Sequence, residues 1–510
     1  MKQLHTIFAL LLMMMAGTAF SQQRYVDEIF TEVEKTSPIV YGQNASLILL
    51  LDNDPTNDVH PLKQPLVLDL YRPVGDVETA RPLVLVFHSG IFLPYPANGQ
   101  STGTRTDSSI VEVCMRLARM GYVAASVDYR LFWNPQDPDE IDRRSTLINA
   151  AYRGIQDART AIRFFKKTAA ENGNPYGIDP NKIVLWGHGT GGYIPANAAI
   201  LDDYNKILIP KFLIDLGGGN FLPMIIEQVN GDINGTSVGL VPPGYPIYQP
   251  GDTLCYPNWP NYSSEFQLAV NLGGAIADSS WIDPGQTPTI SFHVPTDPFA
   301  PYVEGIVKVP VLNYNVIEVQ GSYILAKLMN EYGNLPYADK TFIDPYTAVA
   351  NSRNDGYEGL FPFPRADNEA GPWEWNPPNP GDPNPMPVDP ADAKPYLDTV
   401  IQYFIPRACI TLGLGCDLTG YTAAEEVLNT VDTGLKLSPN PAGEQVQLTT
   451  DAAFPIEHVY VYDMSGRLVK AHTQVNSNNF TMDRNSLSGG TYIVKVFFEK
   501  GISVEKVIFK

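Results

Sequence analysis

The sequence predicts an α/β fold, a mostly parallel sheet flanked by helices, followed by a small all-β sandwich. Apolar segments at 82–88, 122–129 and 183–186 have the length of buried strands, and helical patterns separate them. Strands that alternate with helices form a parallel sheet that is covered on both faces. From residue 433 the pattern changes to short alternating strands separated by turns, which is typical of a β-sandwich.

Length, composition and charge limit the possible functions. A chain of 510 residues is too long for one ordinary domain, and its 44% of apolar residues suffice for a sizeable core. The formal net charge of −20 disfavours nucleic acid as a partner, because phosphate backbones require a basic face. The four cysteines lack Cys-x-x-Cys spacing, which disfavours a zinc or redox site, and we expect no cofactor.

The first 21 residues are predicted to be a signal peptide. Lys2 supplies the positive charge, residues 7–16 form an apolar core, and Ala19-Phe20-Ser21 is a small-x-small cleavage site. The apolar run is well short of the ~20 residues that span a membrane, and no other segment is predicted to span one. We therefore expect an exported protein with a first domain at 22–430 and a second at 431–510.

Further elements of the first domain follow in order. Strands are predicted at 66–71, 266–272 and 289–293, helices at 110–120, 146–168, 193–201 and 321–332, and a short strand or connector at 313–319. Residues 210–262 interrupt the alternation, and the pattern leaves open whether they form a lid over a pocket or a variable surface loop.

Residues 361–395 are rich in proline and are predicted to lie extended on the surface. Trp373 and Trp375 within this segment either bind sugar or anchor the segment to the domain. We favour anchoring, because aromatic rings are more often buried than displayed.

Residues 184–192 organise the first domain. An apolar strand ends at closely spaced glycines and a helix follows, which is the setting of a nucleophile elbow with the pattern Gly-x-Ser-x-Gly. Gly187 and Gly191 occupy the outer glycine positions, but Gly189 occupies the position of the serine. Glycine has no side chain that can attack a carbonyl carbon. The frame of a serine hydrolase is therefore present without its nucleophile.

Four motifs, in this order, resemble those of the α/β-hydrolase esterases: His88-Ser89-Gly90, Val127-Asp128-Tyr129-Arg130-Leu131, Gln156-Asp157-Ala158-Arg159 and Gly187-His188-Gly189-Thr190-Gly191-Gly192. The resemblance covers roughly residues 64–333. It implies that the first motif is the oxyanion loop and that the backbone N–H of Thr190 is an oxyanion donor. It also implies that His88 and His188 support the turns and are not members of a catalytic triad.

The same resemblance places the triad acid at Asp297, in a segment similar to the family's His-Gly-x-x-Asp-Pro. An ordinary turn aspartate is the alternative. No histidine lies between Asp297 and the C-terminal domain, where the family has its catalytic histidine, and His458 and His472 belong to that separate domain. Ser89 and Thr190 carry hydroxyl groups, but the sequence predicts no proton acceptor for either of them.

We therefore expect a non-catalytic relative of the carboxylesterases that keeps its pocket for a small-molecule or ester-like ligand. The alternative is an active carboxylic-ester hydrolase with a displaced nucleophile and base. A metal site built from His88, His293 and Asp297 is not expected. In the family's sheet the strand of His88 and the strand of His293 and Asp297 are separated by two other strands, a distance of about 15 Å at ~4.8 Å per strand.

Export permits disulfides. Cys409 and Cys416 lie close together in a glycine-rich turn and are predicted to pair, whereas Cys114 lies in a helical pattern and is predicted to be a buried free thiol.

Three C-terminal motifs resemble the type A sorting domain of the type IX secretion system: Ser438-Pro439-Asn440-Pro441, residues 459–469 and residues 487–494. The resemblance implies interaction with the type IX secretion machinery and export across the outer membrane of a Gram-negative bacterium. It further implies a product that is released or attached to the cell surface.

Overall fold

The computed structural model describes residues 22–48, 60–245, 248–309, 312–367, 369–381, 383–422, 428–464, 468–472, 475–485, 487–498 and 501–510. The predicted signal peptide at 1–21 lies outside the described residues. None of the described helices combines the length and the apolar character that a membrane span requires.

The strands up to residue 362 are β1 (Val33–Ser46), β2 (Leu62–Pro73), β3 (Arg81–Phe87), β4 (Val123–Val127), β5 (Ile178–His188), β6 (Leu213–Gly217), β7 (Asn220–Pro223), β8 (Gly239–Leu240), β9 (Thr253–Cys255), β10 (Leu268–Leu272), β11 (Thr289–His293), β12 (Glu304–Lys308), β13 (Asn315–Gln320) and β14 (Leu360–Pro362). In the described part of the chain, eight of these strands form one sheet in the order β1-β2-β4-β3-β5-β10-β11-β14. β2 is antiparallel to both of its neighbours, and the other neighbouring pairs are parallel.

The helices are α1 (Ser108–Arg119), α2 (Glu140–Glu171), α3 (Thr190–Ala198), α4 (Glu227–Asn230), α5 (Ser322–Glu331), α6 (Pro345–Asn351), α7 (Pro390–Thr411) and α8 (Thr430–Thr433). β3, β4, β10 and β11 are buried along their whole length, which explains their continuous apolar sequences. Trp186 of β5 packs on Phe404 of α7 with ring centroids 5.1 Å apart, so α7 belongs to the core of the first domain.

The C-terminal region has its own apolar core and two small antiparallel sheets. Its strands are β15 (Lys436–Ser438), β16 (Gln445–Thr449), β17 (His458–Asp463), β18 (Leu468–His472), β19 (Asn479–Asp483), β20 (Gly490–Phe498) and β21 (Gly501–Phe509). The sheet orders are β15-β16-β19 and β18-β17-β20-β21. A large, mostly parallel sheet with helices, followed by a small antiparallel β-structure, confirms the predicted fold class.

The prediction that residues 361–395 lie on the surface is only partly correct, because 377–381 are exposed but 361–363 and 372–375 are buried. β14 pairs with β11 at the start of this segment, and α7 begins at Pro390 near its end. Proline is well tolerated at the first helical position. Trp373 is 0% exposed and Trp375 is 4% exposed, so both side chains anchor the segment in the core and neither is displayed for sugar.

The cysteines divide into one bonded pair and two free thiols. Cys409, near the end of α7, forms a disulfide with Cys416 across a Cα–Cα distance of 5.9 Å. Cys114 in α1 is free and buried, as is Cys255.

Candidate functional site

The elbow is formed by β5, Gly189 and α3. Gly189 has φ 52° and ψ −121°, a backbone conformation that side-chain-bearing residues rarely adopt. Its N–H donates to the carbonyl oxygen of Leu272 at 2.7 Å, which ties the turn to β10. A Cβ atom on Gly187 would lie 1.9 Å from the carbonyl oxygen of Gly191, so the turn excludes any side chain there. The strained geometry of a nucleophile elbow is therefore kept although no nucleophile stands in it.

Two side chains lie close to the position that a side chain at residue 189 would take. A Cβ atom on Gly189 would lie 3.0 Å from Cβ of Ser89 and 3.3 Å from Oε1 of Glu374. Ser89 follows β3 in the predicted oxyanion loop, and its hydroxyl donates to Oε2 of Glu374 at 2.7 Å. Glu374 is therefore a hydrogen-bond acceptor for Ser89 that the sequence did not predict.

Glu374 lies in the loop that follows β14, the last strand of the large sheet. The family resemblance places the catalytic histidine after this strand, so Glu374 occupies the region where a base was expected. Sequence reasoning missed it because only histidines were considered. The one signal in the sequence was a glutamate between two tryptophans whose rings were expected to be buried.

The carboxyl group of Glu374 is buried and short of positive partners. Glu374 is only 7% exposed. Burial raises its pKa to about 8, the neighbouring carboxylates of Asp107, Glu369 and Asp297 add to the rise, and the hydrogen bond from Ser89 opposes it. Near neutral pH this carboxyl group is therefore mostly protonated.

Asp297 has the hydrogen bonds of a turn residue. Its Oδ1 accepts from the backbone N–H groups of Phe299 and Ala300 at 2.7 and 3.0 Å. The histidine nearest to it is His293, with 3.8 Å between Nε2 and Oδ2. The ring of His293 is already engaged, because Nε2 lies 3.0 Å from the carbonyl oxygen of Ala300 and Nδ1 lies 2.8 Å from Oγ of Ser322. Burial lowers the pKa of His293, so it is a neutral structural side chain.

The other two histidines of the motifs, His88 and His188, are buried. Nδ1 of His88 lies 2.6 Å from the carbonyl oxygen of Ser89, and its ring stacks on Tyr129 at 4.6 Å between centroids. Burial lowers the pKa of His188 to about 3, and neither of its ring nitrogens has a hydrogen-bond partner among the described residues. Neither histidine has the contacts of a catalytic base.

A cavity of about 190 Å³ adjoins the elbow. Its walls are mainly apolar and aromatic, and its polar lining is concentrated at the elbow, at Ser89, Thr190, Asp297, Glu369 and Glu374. The antiparallel pair β12–β13, outside the large sheet, contributes Val307, Lys308, Ile317 and Val319. Pockets for drug-sized ligands usually measure ~300–1,000 Å³, so this cavity suits a smaller molecule.

Residues 210–262 contribute to one wall of the cavity, and two contacts further along tie the segment to α2. Phe212 and Ile225 line the cavity. Further along, the buried guanidinium of Arg159 in α2 donates to the carbonyl oxygen of Ile233 at 2.7 Å, and that of Arg163 donates to Asn258 at 3.0 Å. Arginines that cap backbone carbonyls in this way fix the segment, which is therefore an anchored wall.

The elbow also offers backbone donors to a ligand. Thr190 is the first residue of α3, so its N–H has no acceptor within the helix. It lies at the positive end of the helix dipole, which favours a negatively charged or electron-rich ligand atom. Gly90, at φ 114°, lines the same cavity after Ser89. Among the described residues, no group of three or more His, Cys, Asp or Glu side chains is arranged to hold a metal ion.

Two parts of the chain match family models. Residues 68–212 match the family described as BD-FAE, and residues 436–510 match the secretion system C-terminal sorting domain. The chain thus combines an esterase-like α/β-hydrolase domain with a C-terminal sorting domain of type IX secretion. The sorting domain indicates interaction with the type IX secretion machinery and transport to the cell surface or the extracellular space. A comparison with curated proteins found no match.

Solved esterases are similar at low identity. Thermogutta terrifontis esterase 2 phosphoramylated by tabun is 18% identical, with 66% of this chain and 84% of that chain covered and a TM-score of 0.32. A truncated form of carbohydrate esterase from gut microbiota is 14% identical, with 61% of this chain and 87% of that chain covered and a TM-score of 0.28. Because these identities and TM-scores are low, the solved structures give no information about the function of the site.

Proposed function

We propose that the first domain of this exported, esterase-like protein is a non-catalytic binding domain for a small, largely apolar ligand. One observation carries the proposal. Gly189 carries no nucleophile, and the side chains of Ser89 and Glu374 lie 3.0 and 3.3 Å from the position that a Cβ atom would take there. Acyl transfer requires a nucleophile, a base that accepts its proton and a group that orients the base. The nucleophile and the histidine base are missing from their usual places, so Asp297 at the acid position has no base to orient.

Ser89 does not replace the missing serine near neutral pH. A hydroxyl group becomes nucleophilic when a neighbouring base takes its proton. Burial raises the pKa of Glu374 to about 8, so the carboxyl group already holds a proton of its own at neutral pH. The cavity and the amide of Thr190 remain available for binding, and catalysis does not follow from them.

The 2.7 Å bond between Ser89 and Glu374 favours a second candidate function. Once Glu374 ionises, above about pH 8, it is within the distance at which a general base takes a proton, and its basicity resembles that of a histidine. Ser89 would then be the displaced nucleophile of an ester hydrolase that works only in alkali. This alternative predicts turnover that rises through pH 8.

Binding can be tested with tryptophan fluorescence, since Trp133 and Trp281 line the cavity. We expect 2-phenylethanol, a small neutral probe, to change the emission of the wild type in a saturable way. Ala277→Phe, which fills part of the cavity, should abolish the change, whereas Val77→Phe on an exposed position should not. Equal responses from the wild type and Ala277→Phe would contradict a binding function for this cavity.

A further inference from the structure

Within the described part of the chain, no lysine or arginine forms an ion pair with the carboxyl groups that line the cavity. Asp297, Glu369 and Glu374 line it, and Lys308 is the lysine that lines it with them. Among the described residues, no ion pair within 4.0 Å joins Lys308 to any of the three. Lysine 308 is also exposed at the end of β12, so its ammonium group is hydrated and does not compensate charge at the elbow.

Glu374 directs one carboxyl oxygen to the elbow. Oε2 accepts from Ser89, but no hydrogen bond within the described part of the chain uses Oε1, which lies 3.3 Å from the position of a Cβ atom on Gly189. Asp297 lies close enough to interact electrostatically with Glu374. Oε1 is therefore available to a hydrogen-bond donor of a ligand, and an ammonium group there would stabilise the ionised carboxylate.

The remaining walls suit the body of an organic cation. Phe92, Trp133, Tyr193, Phe212 and Trp281 line the cavity with aromatic rings. Ring faces attract ammonium groups, and the same rings bury apolar carbon. A carboxylate ligand would be repelled by Asp297, Glu369 and ionised Glu374, and a neutral ester would leave them uncompensated.

We propose that the cavity binds a small primary amine, with its ammonium group against Oε1 of Glu374 and in the field of Asp297, and with its apolar body among the aromatic side chains. This inference rests on the proposed binding function and names the chemical class of the ligand.

Binding of such a cation is linked to the release of a proton. The ammonium group stabilises ionised Glu374, so an amine that binds below the pKa of that carboxyl group expels its proton. The groups that face Glu374 are Ser89 and Glu369 and the carboxyl groups of Asp107 and Asp297, with His88 next to Asp107. Burial raises the pKa of Tyr129 and of Tyr193, so both phenols stay neutral throughout. Affinity should therefore rise by up to tenfold per pH unit from about pH 6 to about pH 8.

The test compares three probes of equal size by calorimetry on the mature full-length protein: 2-phenylethylamine, 2-phenylethanol and phenylacetate. Near pH 8 we expect the amine to bind at least tenfold more tightly than the alcohol, and phenylacetate to bind most weakly. Near pH 7 the heat of amine binding should depend on the ionisation enthalpy of the buffer, because a proton is released. Glu374→Gln should remove the preference for the amine over the alcohol and the pH dependence of amine binding.

The matched control is Glu444→Gln, which removes the same charge from an exposed side chain of the C-terminal domain and should change nothing. If Glu374→Gln does not fold, the buffer dependence of the heat of amine binding to the wild type still shows whether a proton is released. Alcohol binding without a preference for the amine, or amine binding without proton release, would overturn this inference and leave the proposed function standing. Binding of none of the three probes would overturn both.

Discussion

The hydroxyl group of Ser89 and the carboxyl group of Glu374 form a buried hydrogen bond of 2.7 Å between two loops that are 285 residues apart in the sequence. Both side chains lie beside Gly189, which occupies the serine position of the nucleophile-elbow pattern. The predictions below follow from the protonation of Glu374 and from the tightness of the elbow.

Glu374 should make the stability of the first domain depend on pH. Because its folded-state pKa, about 8, lies above the ordinary value near 4.5, the folded state holds the proton more tightly than the unfolded chain. Stability is therefore full below about pH 4.5 for this group and falls as pH rises towards 8, by a few kcal/mol (on the order of 1.4 kcal/mol per pKa unit). Urea unfolding near pH 5 and pH 8.5 should show this loss in the wild type and a smaller loss in Glu374→Gln. An equal loss in both proteins would contradict it.

Gly189→Ser should not create an esterase. The new side chain would meet Ser89 and Glu374, and its backbone would keep φ near 52°, which costs about 1–3 kcal/mol for a residue other than glycine. No histidine is positioned to accept its proton. Melting temperature and aryl-ester turnover would be measured beside Gly189→Ala, which has the same backbone strain without the hydroxyl group. We expect both variants to be destabilised and both to be inactive; strong turnover by the serine variant alone would reveal a base that the structure does not identify.

Gly187→Ala should prevent the elbow from closing. The added methyl group would lie 1.9 Å from the carbonyl oxygen of Gly191 and 2.7 Å from the N–H nitrogen of Gly192, and backbone atoms cannot yield cheaply. Overpacking of this kind costs at least ~1–3 kcal/mol. Gly443→Ala is the control, since no atom lies within 4 Å of its added methyl group. Soluble expression and thermal unfolding should separate the two variants, and a native melting temperature for Gly187→Ala would refute the steric argument.

Removal of residues 431–510 should block export but not folding of the first domain. The sorting domain directs type IX secretion, and the first domain has its own apolar core, which includes Trp186 and Phe404. Fractionation and blotting should find the truncated protein in the periplasm in a protease-resistant form. Its appearance in the medium or on the surface at wild-type levels would contradict the assignment of the export signal to this domain.

The sequence predicts those strands and turns whose pattern is contained in one short segment. The continuous apolar strands β3, β5 and β11 and the glycines of the elbow are predicted from short segments, because strand burial and tight turns leave a direct signature. β1 was missed, since it pairs only with β2 at the sheet edge and its exposed positions, such as Glu34 and Lys35, dilute the alternation. α2 begins at Glu140, six residues before the expected start, because Asp139 caps it and accepts from the N–H groups of Ile141 and Asp142.

The decisive part of the site could not be predicted from local pattern. α7 was missed because Pro395 and Pro406 lie inside it, and proline normally ends helices. Glu374 reaches the elbow because Trp373 beside it is buried against Phe363, with ring centroids 5.9 Å apart, a contact made within a segment whose composition indicates exposed coil. Tertiary packing overrode local preference here, and it brought a carboxyl group to the place where only a histidine was sought.

The most direct test of the central claim, that the elbow binds without catalysing, is covalent labelling by a fluorophosphonate together with aryl-ester turnover, measured from about pH 6 to pH 9.5. Intact esterases exceed the rate in water by far more than the ~10³–10⁴-fold that oxyanion donors and binding alone provide. We predict that the wild type is not labelled at any of these pH values and that its turnover equals that of Ser89→Ala. Labelling of Ser89, with turnover that rises through pH 8 and disappears in both Ser89→Ala and Glu374→Gln, would contradict the claim and establish the displaced hydrolase instead.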